Sequence, residues 1–245
     1  MGNGLKRFQT AGPSWAERSG LGELQAVLSP YGSEMRNRFI HAVHQIGAGV
    51  AASLDRQGFL LDLGCGTGRF LRFFCDQGYF VIGTEITREM LAATQKSGLP
   101  LHSGLILTDG ISIPVRDRSI DLIWCCAVLR YSLLVDHPVY AEIAQEMHRI
   151  LKPEGMVVNL EMYVEEPPET FTRDFEQAGF LTEDIRVLQR YGGRMEKICL
   201  RLGKRLGLKF ATQAAAMCAK LRYRFDNAHR LIPGLRDYLF VWRKA

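Results

Sequence analysis

The spacing of apolar and polar residues changes period several times along this 245-residue chain. Before Phe59 the period is helical. In SEMRNRFIHAVHQIGAGVAASL, Met35, Phe39, Val43, Ile46 and Val50 recur at threes and fours behind Ser33, a residue suited to cap a helix start. Short apolar runs at Gly58–Leu63, Tyr79–Thr84, Leu105–Thr108, Ile120–Ala127 and Met156–Met162 then read as buried strands. Between them, TGRFLRFFCDQG and TREMLAATQKSG read as short helices stopped by glycine. HPVYAEIAQEMHRILKPEG sets Tyr140, Ile143, Ala144, Met147, Ile150 and Leu151 on one stripe, which Pro153 ends. FTRDFEQAGF adds a helix, TEDIRVLQRY a sixth strand and RDYLFVWRKA a seventh. Strands alternating with helices predict a parallel sheet covered on both faces.

Composition leaves that picture intact: 47% of residues are hydrophobic and 23% charged, as in ordinary globular proteins. No run of 18 apolar residues appears, and MGNGLKRFQTAGPSW lacks the apolar core of a signal peptide, so the expectation is a cytoplasmic protein, with peripheral membrane contact as the alternative. Lys6 stands where a myristoylation signal wants Ser or Thr. The six cysteines form no C-x-x-C pair, and His41 and His44 have no third ligand, so no metal site is expected. Charge does change the picture. The net +5 divides into −7 over residues 1–185 and +12 over residues 186–245.

The candidate chemistry lies in LLDLGCGTGRF, where Gly64, Gly66 and Gly68 follow a buried strand directly. In an open parallel sheet the first strand–turn–helix is the usual ligand cradle, and glycine lets a ligand approach the backbone. The dinucleotide fingerprint G-x-G-x-x-G needs glycine at 69, where this chain has Arg69; a Walker loop needs Gly-Lys-Ser/Thr, which does not follow.

LLDLGCGTG resembles the first motif of class I S-adenosylmethionine-dependent methyltransferases. Three further stretches follow in the family's order: VIGTEIT, LTDGISIPVRDRSIDLIWCCAVLRYS and RILKPEGMVV. The likeness spans about residues 58–180 and is nearest the ubiquinone/menaquinone-biosynthesis-like group, the type 11 methyltransferases. Glu85 replaces the commoner Asp, Gly110 the commoner Ala, Glu154 a Gly, and Arg130-Tyr131 the usual His-His.

The resemblance implies a Rossmann-like α/β fold: a seven-stranded, mostly parallel sheet with helices on both faces. It would form one domain, with a helical cap at 1–57, a cofactor-binding core at 58–191, a basic helical insertion at 192–234 and a final strand at 235–245. It implies S-adenosyl-L-methionine as cofactor, with Glu85 on the ribose hydroxyls, Asp109 and Gly110 at the adenine amino group, and Ile86 packed on the adenine. Asp62 would help organise the methionine end, the backbone near Ala127 would approach its amino group, and Gly64, Cys65, Gly66 and Gly68 would contact the cofactor. Residue by residue the chemistry agrees: a carboxylate ending the second strand can accept from a vicinal diol, and an acid inside an apolar strand needs a partner. Asp109-Gly110 is equally a turn-forming pair.

Catalytic residues are not evident. Arg130, Tyr131 and Glu161 near strand ends are the candidates, with Tyr131 able to bond or deprotonate a hydroxyl. CCAVLRYS lacks the Asn/Asp-Pro-Pro signature of amino-methylating relatives, and Cys125 and Cys126 read as strand residues rather than nucleophiles. The expected reaction is methyl transfer to a small-molecule or lipid-like acceptor, against an RNA (tRNA) methyltransferase or a non-catalytic S-adenosylmethionine-binding module. In the insertion, Met195, Ile198, Cys199, Leu202 and Leu206 form one stripe and Arg194, Lys197, Arg201, Lys204 and Arg205 the opposite face. Three readings fit residues 194–236: a lid whose stripe packs on the core, a contact for an anionic membrane or substrate, or a nucleic-acid contact through Tyr223 and Phe225 among Arg222 and Arg224.

Overall fold

The five residues of β1 (Phe59–Leu63) are buried after the first, because strands lie on both sides of it and helices above and below. That is why the run is continuously apolar instead of alternating. In the computed structural model, which describes residues 15–21, 23–28, 33–54, 58–129, 139–164, 167–191, 194–225 and 235–245, seven strands form one sheet. They are β1, β2 (Phe80–Glu85), β3 (Ser103–Leu107), β4 (Ile120–Cys126), β5 (Leu151–Val164), β6 (Phe180–Arg190) and β7 (Arg236–Lys244). Their order is β3-β2-β1-β4-β5-β7-β6. The first five run parallel, and β7 lies antiparallel to both β5 and β6. The mostly parallel, helix-covered sheet expected from the sequence is therefore present.

The helices are α1 (Trp15–Arg18), α2 (Glu23–Val27), α3 (Glu34–Ala52), α4 (Leu71–Asp76), α5 (Arg88–Lys96), α6 (Val139–Ile150), α7 (Glu169–Gln177), α8 (Arg194–Leu206) and α9 (Leu208–Phe225). Successive strand residues point to opposite faces, so Leu60, Trp124 and Leu160 share one core with α3, α4 and α9, while Leu61, Ile123 and Val157 share the other with α6 and α7. On the second face Phe175 stacks on Trp242 with ring centroids 3.9 Å apart. Helix α3 starts where expected: the Ser33 side chain accepts from the Arg36 backbone N–H at 3.3 Å.

Two expectations are corrected. Leu151 does not end a helix. It opens β5 opposite Ile120, and the register shifts before Leu122 resumes pairing with Met156. Nor do Ile198, Leu202 and Leu206 of the insertion's apolar stripe pack inward as a lid would require, although Cys199 does. Ile198, Leu202 and Leu206 are 46%, 37% and 61% exposed, and α8 turns in Glu196, Cys199 and Gly203 instead. Small residues permit that approach: a Cβ at Gly203 would lie 2.6 Å from the Cβ of Ala211.

Helix α3 meets the sheet in the same way. A Cβ at Gly47 would stand 2.9 Å from Leu160 Cδ1 and 3.2 Å from both Leu188 and Leu239 Cδ1, whereas one at exposed Gly49 meets nothing within 4 Å. Gly47→Val is expected to lower stability to denaturant by about 1–3 kcal/mol through overpacking. Gly49→Ala should raise it by about 0.5–1 kcal/mol through backbone entropy and helix propensity. Equal effects at the two positions would contradict this packing.

Candidate functional site

Strand order reverses beside β1, which has β2 on one side and β4 on the other, and a crevice opens at the carboxyl ends of all three. Its volume is about 1010 Å³ including the open mouth. The turn after β1 forms its floor, with Gly64 and Gly66 at φ +68° and +58°. Those left-handed conformations suit glycine, and a Cβ at Gly64 would come within 2.4 Å of Val128 Cγ2.

Glu85 ends β2 facing this turn. Its Oε2 accepts from the Gly66 N–H at 3.0 Å, and its Oε1 accepts from Ile86 and Thr87 at 2.9 and 3.0 Å. Burial raises its pKa, against the pull of those backbone N–H groups. The Thr87 side chain also hydrogen-bonds to it, so with about four acceptor sites on a carboxylate a ligand hydroxyl would have to share or displace one of these donors. Asp62, inside β1, is buried with no hydrogen-bond partner at Oδ2. Burial pushes its pKa up to about 8; the Arg69 cation opposes that rise and Glu85 adds to it. A buried carboxyl with an orphaned oxygen, in a residue that lines a crevice, is where a cationic group gains most.

Of the residues the sequence singled out for a cofactor, Asp62, Gly64, Cys65, Gly66, Glu85, Ile86, Asp109, Gly110 and Ala127 line this one crevice. Gly68 does not. It lines a neighbouring cavity, where a Cβ would lie 2.5 Å from Thr94 Cγ2, so it lets α5 pack against the turn. Asp109 Oδ1 also accepts from Ile111 N–H at 3.1 Å, closing the loop it lines. Ala127 takes φ +59° and donates its N–H to Leu160 O at 2.7 Å. Arg130 and Tyr131 lie outside the described residues. Glu161 is fully buried, accepts from the Leu129 N–H at 3.0 Å and is not among the described residues lining the crevice.

Sequence reasoning missed Val27, which approaches Gly66 from α2, and a polar cluster behind the wall. The Arg69 guanidinium sits over the Phe70 ring at 4.6 Å, donates to Cys126 Sγ at 3.0 Å and meets His44 Nδ1 at 3.1 Å. Arginine only donates, so Nδ1 must accept and the neutral imidazole carries its proton on Nε2, 3.5 Å from Asp237 Oδ2. Burial and then the Arg69 charge hold the His44 pKa well below its usual value, which keeps the ring neutral. Asp237 is raised to about 7 by burial and accepts from Tyr191 OH at 2.8 Å. Cys126, pushed up to about 12 by burial, is a thiol and not a nucleophile. Arg69 and Cys126 line the crevice; among its described lining residues His44 and Asp237 are absent and stand behind them.

Comparison with known proteins finds its likeness over the stretch of chain that builds most of this crevice. The methyltransferase domain family matches residues 61–159. The chain is 31% identical over 111 residues to the putative methyltransferase YqeM of Bacillus subtilis (strain 168), covering 44% of each chain. It is 26% identical over 110 residues to the malonyl-[acyl-carrier protein] O-methyltransferase of Enterobacter lignolyticus (strain SCF1), covering 45% of this chain and 41% of that one. The chain thus spans less than half the length of these curated relatives. Among solved structures, the complex between the Haloferax volcanii Trm112 methyltransferase activator and the putative methyltransferase matches with TM-score 0.62, 17% identity and coverage of 96% of this chain and 99% of that one. That likeness is one of fold.

The raised pKa of Asp62 has a sign that can be tested. Its folded value exceeds the unfolded one, so between about pH 4 and pH 8 unfolding releases a proton that the folded chain keeps, and stability falls as pH rises through that window. Asp237 adds a slope of the same sign between about pH 4 and 7. Without ligand, Asp62→Asn is expected to flatten part of this decline, gaining on the order of 1–4 kcal/mol at pH 8 relative to pH 5 against wild type. Urea titrations at the two pH values measure it, and an unchanged pH dependence would refute the assignment.

Proposed function

We propose that the chain is a class I S-adenosylmethionine-dependent methyltransferase acting on a small-molecule or lipid-like acceptor, a reading supported by its likeness over residues 61–159 to the methyltransferase domain family. The observation that carries this reading is the meeting, in one crevice, of a glycine turn with left-handed backbone, a capped carboxylate at Glu85 and an orphaned carboxyl oxygen at Asp62. These suit the three parts of the cofactor. Glu85 would hold a ribose hydroxyl, sharing or displacing one of its present donors, Asp109 the adenine amino group against Ile86, and Asp62 with the backbone near Ala127 the methionine end.

S-adenosylmethionine supplies an electrophilic methyl group on a sulfonium, taken by an acceptor in line. The chain's part is to position both reactants and exclude water. The walls formed by Leu63, Phe70, Met90, Val128 and Ile143 do the second, leaving charge at Asp62, Glu85, Asp109 and Arg69. Asp62 is best neutral in the free protein and ionised beside a cation, so cofactor binding there would release a proton.

The relative named a malonyl-[acyl-carrier protein] O-methyltransferase gives an acidic, acyl-type acceptor some support. A carboxylate arrives without its proton and needs no base, and the Arg69 cation in the crevice wall would attract it. The second reading, an RNA substrate held by the basic residues after 186, draws on the +12 charge of residues 186–245 and would show as salt-sensitive binding to tRNA.

Calorimetric titration with S-adenosylhomocysteine tests the cofactor. Wild type is expected to bind, Glu85→Ala to bind more weakly by about 1–3 kcal/mol, and Gly66→Arg, whose side chain would drive into Val27 and the crevice, not at all. Because Glu85 also ties down the turn, the melting temperature of ligand-free Glu85→Ala is measured alongside. No binding by folded wild type, or intact binding by Gly66→Arg, would overturn the reading.

A further inference from the structure

The hairpin of α8 and α9, turned at Gly207 (φ +96°), hides one side and displays another. Its hidden side is made of small residues: Cys199 and Gly203 on α8, and Ala211, Ala215, Cys218 and Ala219 on α9. They pack the two helices together and onto α3 and β6. Leu200 and Tyr223 pack partly against the same core, but other large apolar residues face outward. Ile198, Leu202 and Leu206 recur every four residues along one flank of α8. Met217, Leu221 and Phe225 do the same on α9, the last three 60%, 51% and 71% exposed. A soluble surface rarely keeps such stripes without use.

Charge says what kind of partner covers them. Residues 194–225 hold nine Lys and Arg and one acid, Glu196, which is buried. The exposed charge carried by the two helices themselves is therefore all positive, with Arg194, Lys197, Arg201, Lys204 and Arg205 on one and Lys220 and Arg224 on the other.

We propose that this hairpin is a docking surface for an anionic lipid bilayer. A bilayer takes aliphatic side chains into its acyl boundary while long cationic side chains extend to the phosphates, so one partner satisfies both features. A nucleic acid would answer the charge and leave Ile198, Leu202, Leu206, Met217 and Leu221 facing water. No helix among the described residues is long and apolar enough to cross a membrane, so the contact is peripheral. Helix α3 joins this surface to the crevice: α9 packs on it, and its His44 contacts Arg69 and Cys126 in the crevice wall. Docking thus sets the site near the source of a lipid-like acceptor, yet the inference rests on the hairpin alone and not on the acceptor.

The test is co-sedimentation of the whole chain with sucrose-loaded vesicles of phosphatidylcholine, with and without phosphatidylglycerol. Wild type is expected to bind the anionic vesicles at least about tenfold better, and less so as salt rises. Met217→Glu with Leu221→Glu, and separately Lys204→Glu with Arg205→Glu, should each reduce that binding about tenfold while S-adenosylhomocysteine affinity and the circular dichroism spectrum stay unchanged. All four positions are exposed, so the variants are expected to fold. The proposal is overturned by equal absence of binding to both vesicles, or by anionic binding that survives Met217→Glu with Leu221→Glu. It is also overturned by binding to tRNA but not vesicles, or by self-association that the apolar variants abolish in a chain indifferent to vesicles.

Discussion

Three backbone N–H groups converge on the Glu85 carboxylate, and much of the crevice depends on that one cluster of charge-assisted bonds. Gly66 belongs to the turn after β1, while Ile86 and Thr87 belong to the turn after β2. One side chain therefore ties together two loops that the sheet alone holds only at their roots. Hydrogen bonds to a charged group are among the stronger ones available. They also offset part of the cost of burying Glu85, whose pKa rises even so. The same acid would both build the turn and bind a ligand, which explains why carboxylate chemistry belongs at this strand end and not elsewhere along β2.

Behind the crevice wall lies a different solution to buried charge. Arg69, half-buried in that wall, is met by a ring, a thiol and a neutral imidazole, none of them anionic. Asp62, the nearest acid by its effect on the balance, is itself drawn towards neutrality by burial. The site in its free state thus holds a cation with no hydrogen-bonded acid, and a buried acid whose pKa that cation lowers only in part. Both imbalances persist because the surrounding strands and α3 hold the groups rigidly. A ligand carrying charges of both signs would relieve them together.

The strands were legible because parallel strands buried on both faces must be continuous apolar runs, and LLDL, VIGT and LIWCC are such runs. The crevice acids were legible because a ligand cradle needs glycines and carboxylates at short, fixed intervals after β1, β2 and β3. The wall cluster was not, since His44, Arg69, Cys126 and Asp237 come from α3, a turn, β4 and β7, and no local pattern joins them. Gly68 was assigned to the wrong neighbour for a related reason: its spacing matches that of Gly64 and Gly66, but the chain has by then turned towards α5. Helix α8 misled through its own periodicity. An apolar stripe measures hydrophobicity, whereas close helix contact selects small residues, and Cys199 and Gly203 carried that signal weakly.

The sheet register gives the hairpin a further property. Strand β6 ends at Arg190 and β7 begins at Arg236, and these two residues are direct partners in the ladder. The chain therefore leaves the sheet and returns to it at a single point, whatever lies between. Residues 191–235 are in topological terms an ornament on an ordinary β-hairpin. The exposed flanks of its helices can therefore vary without moving one strand relative to another, while the side packed on α3 and β6 is held by the core.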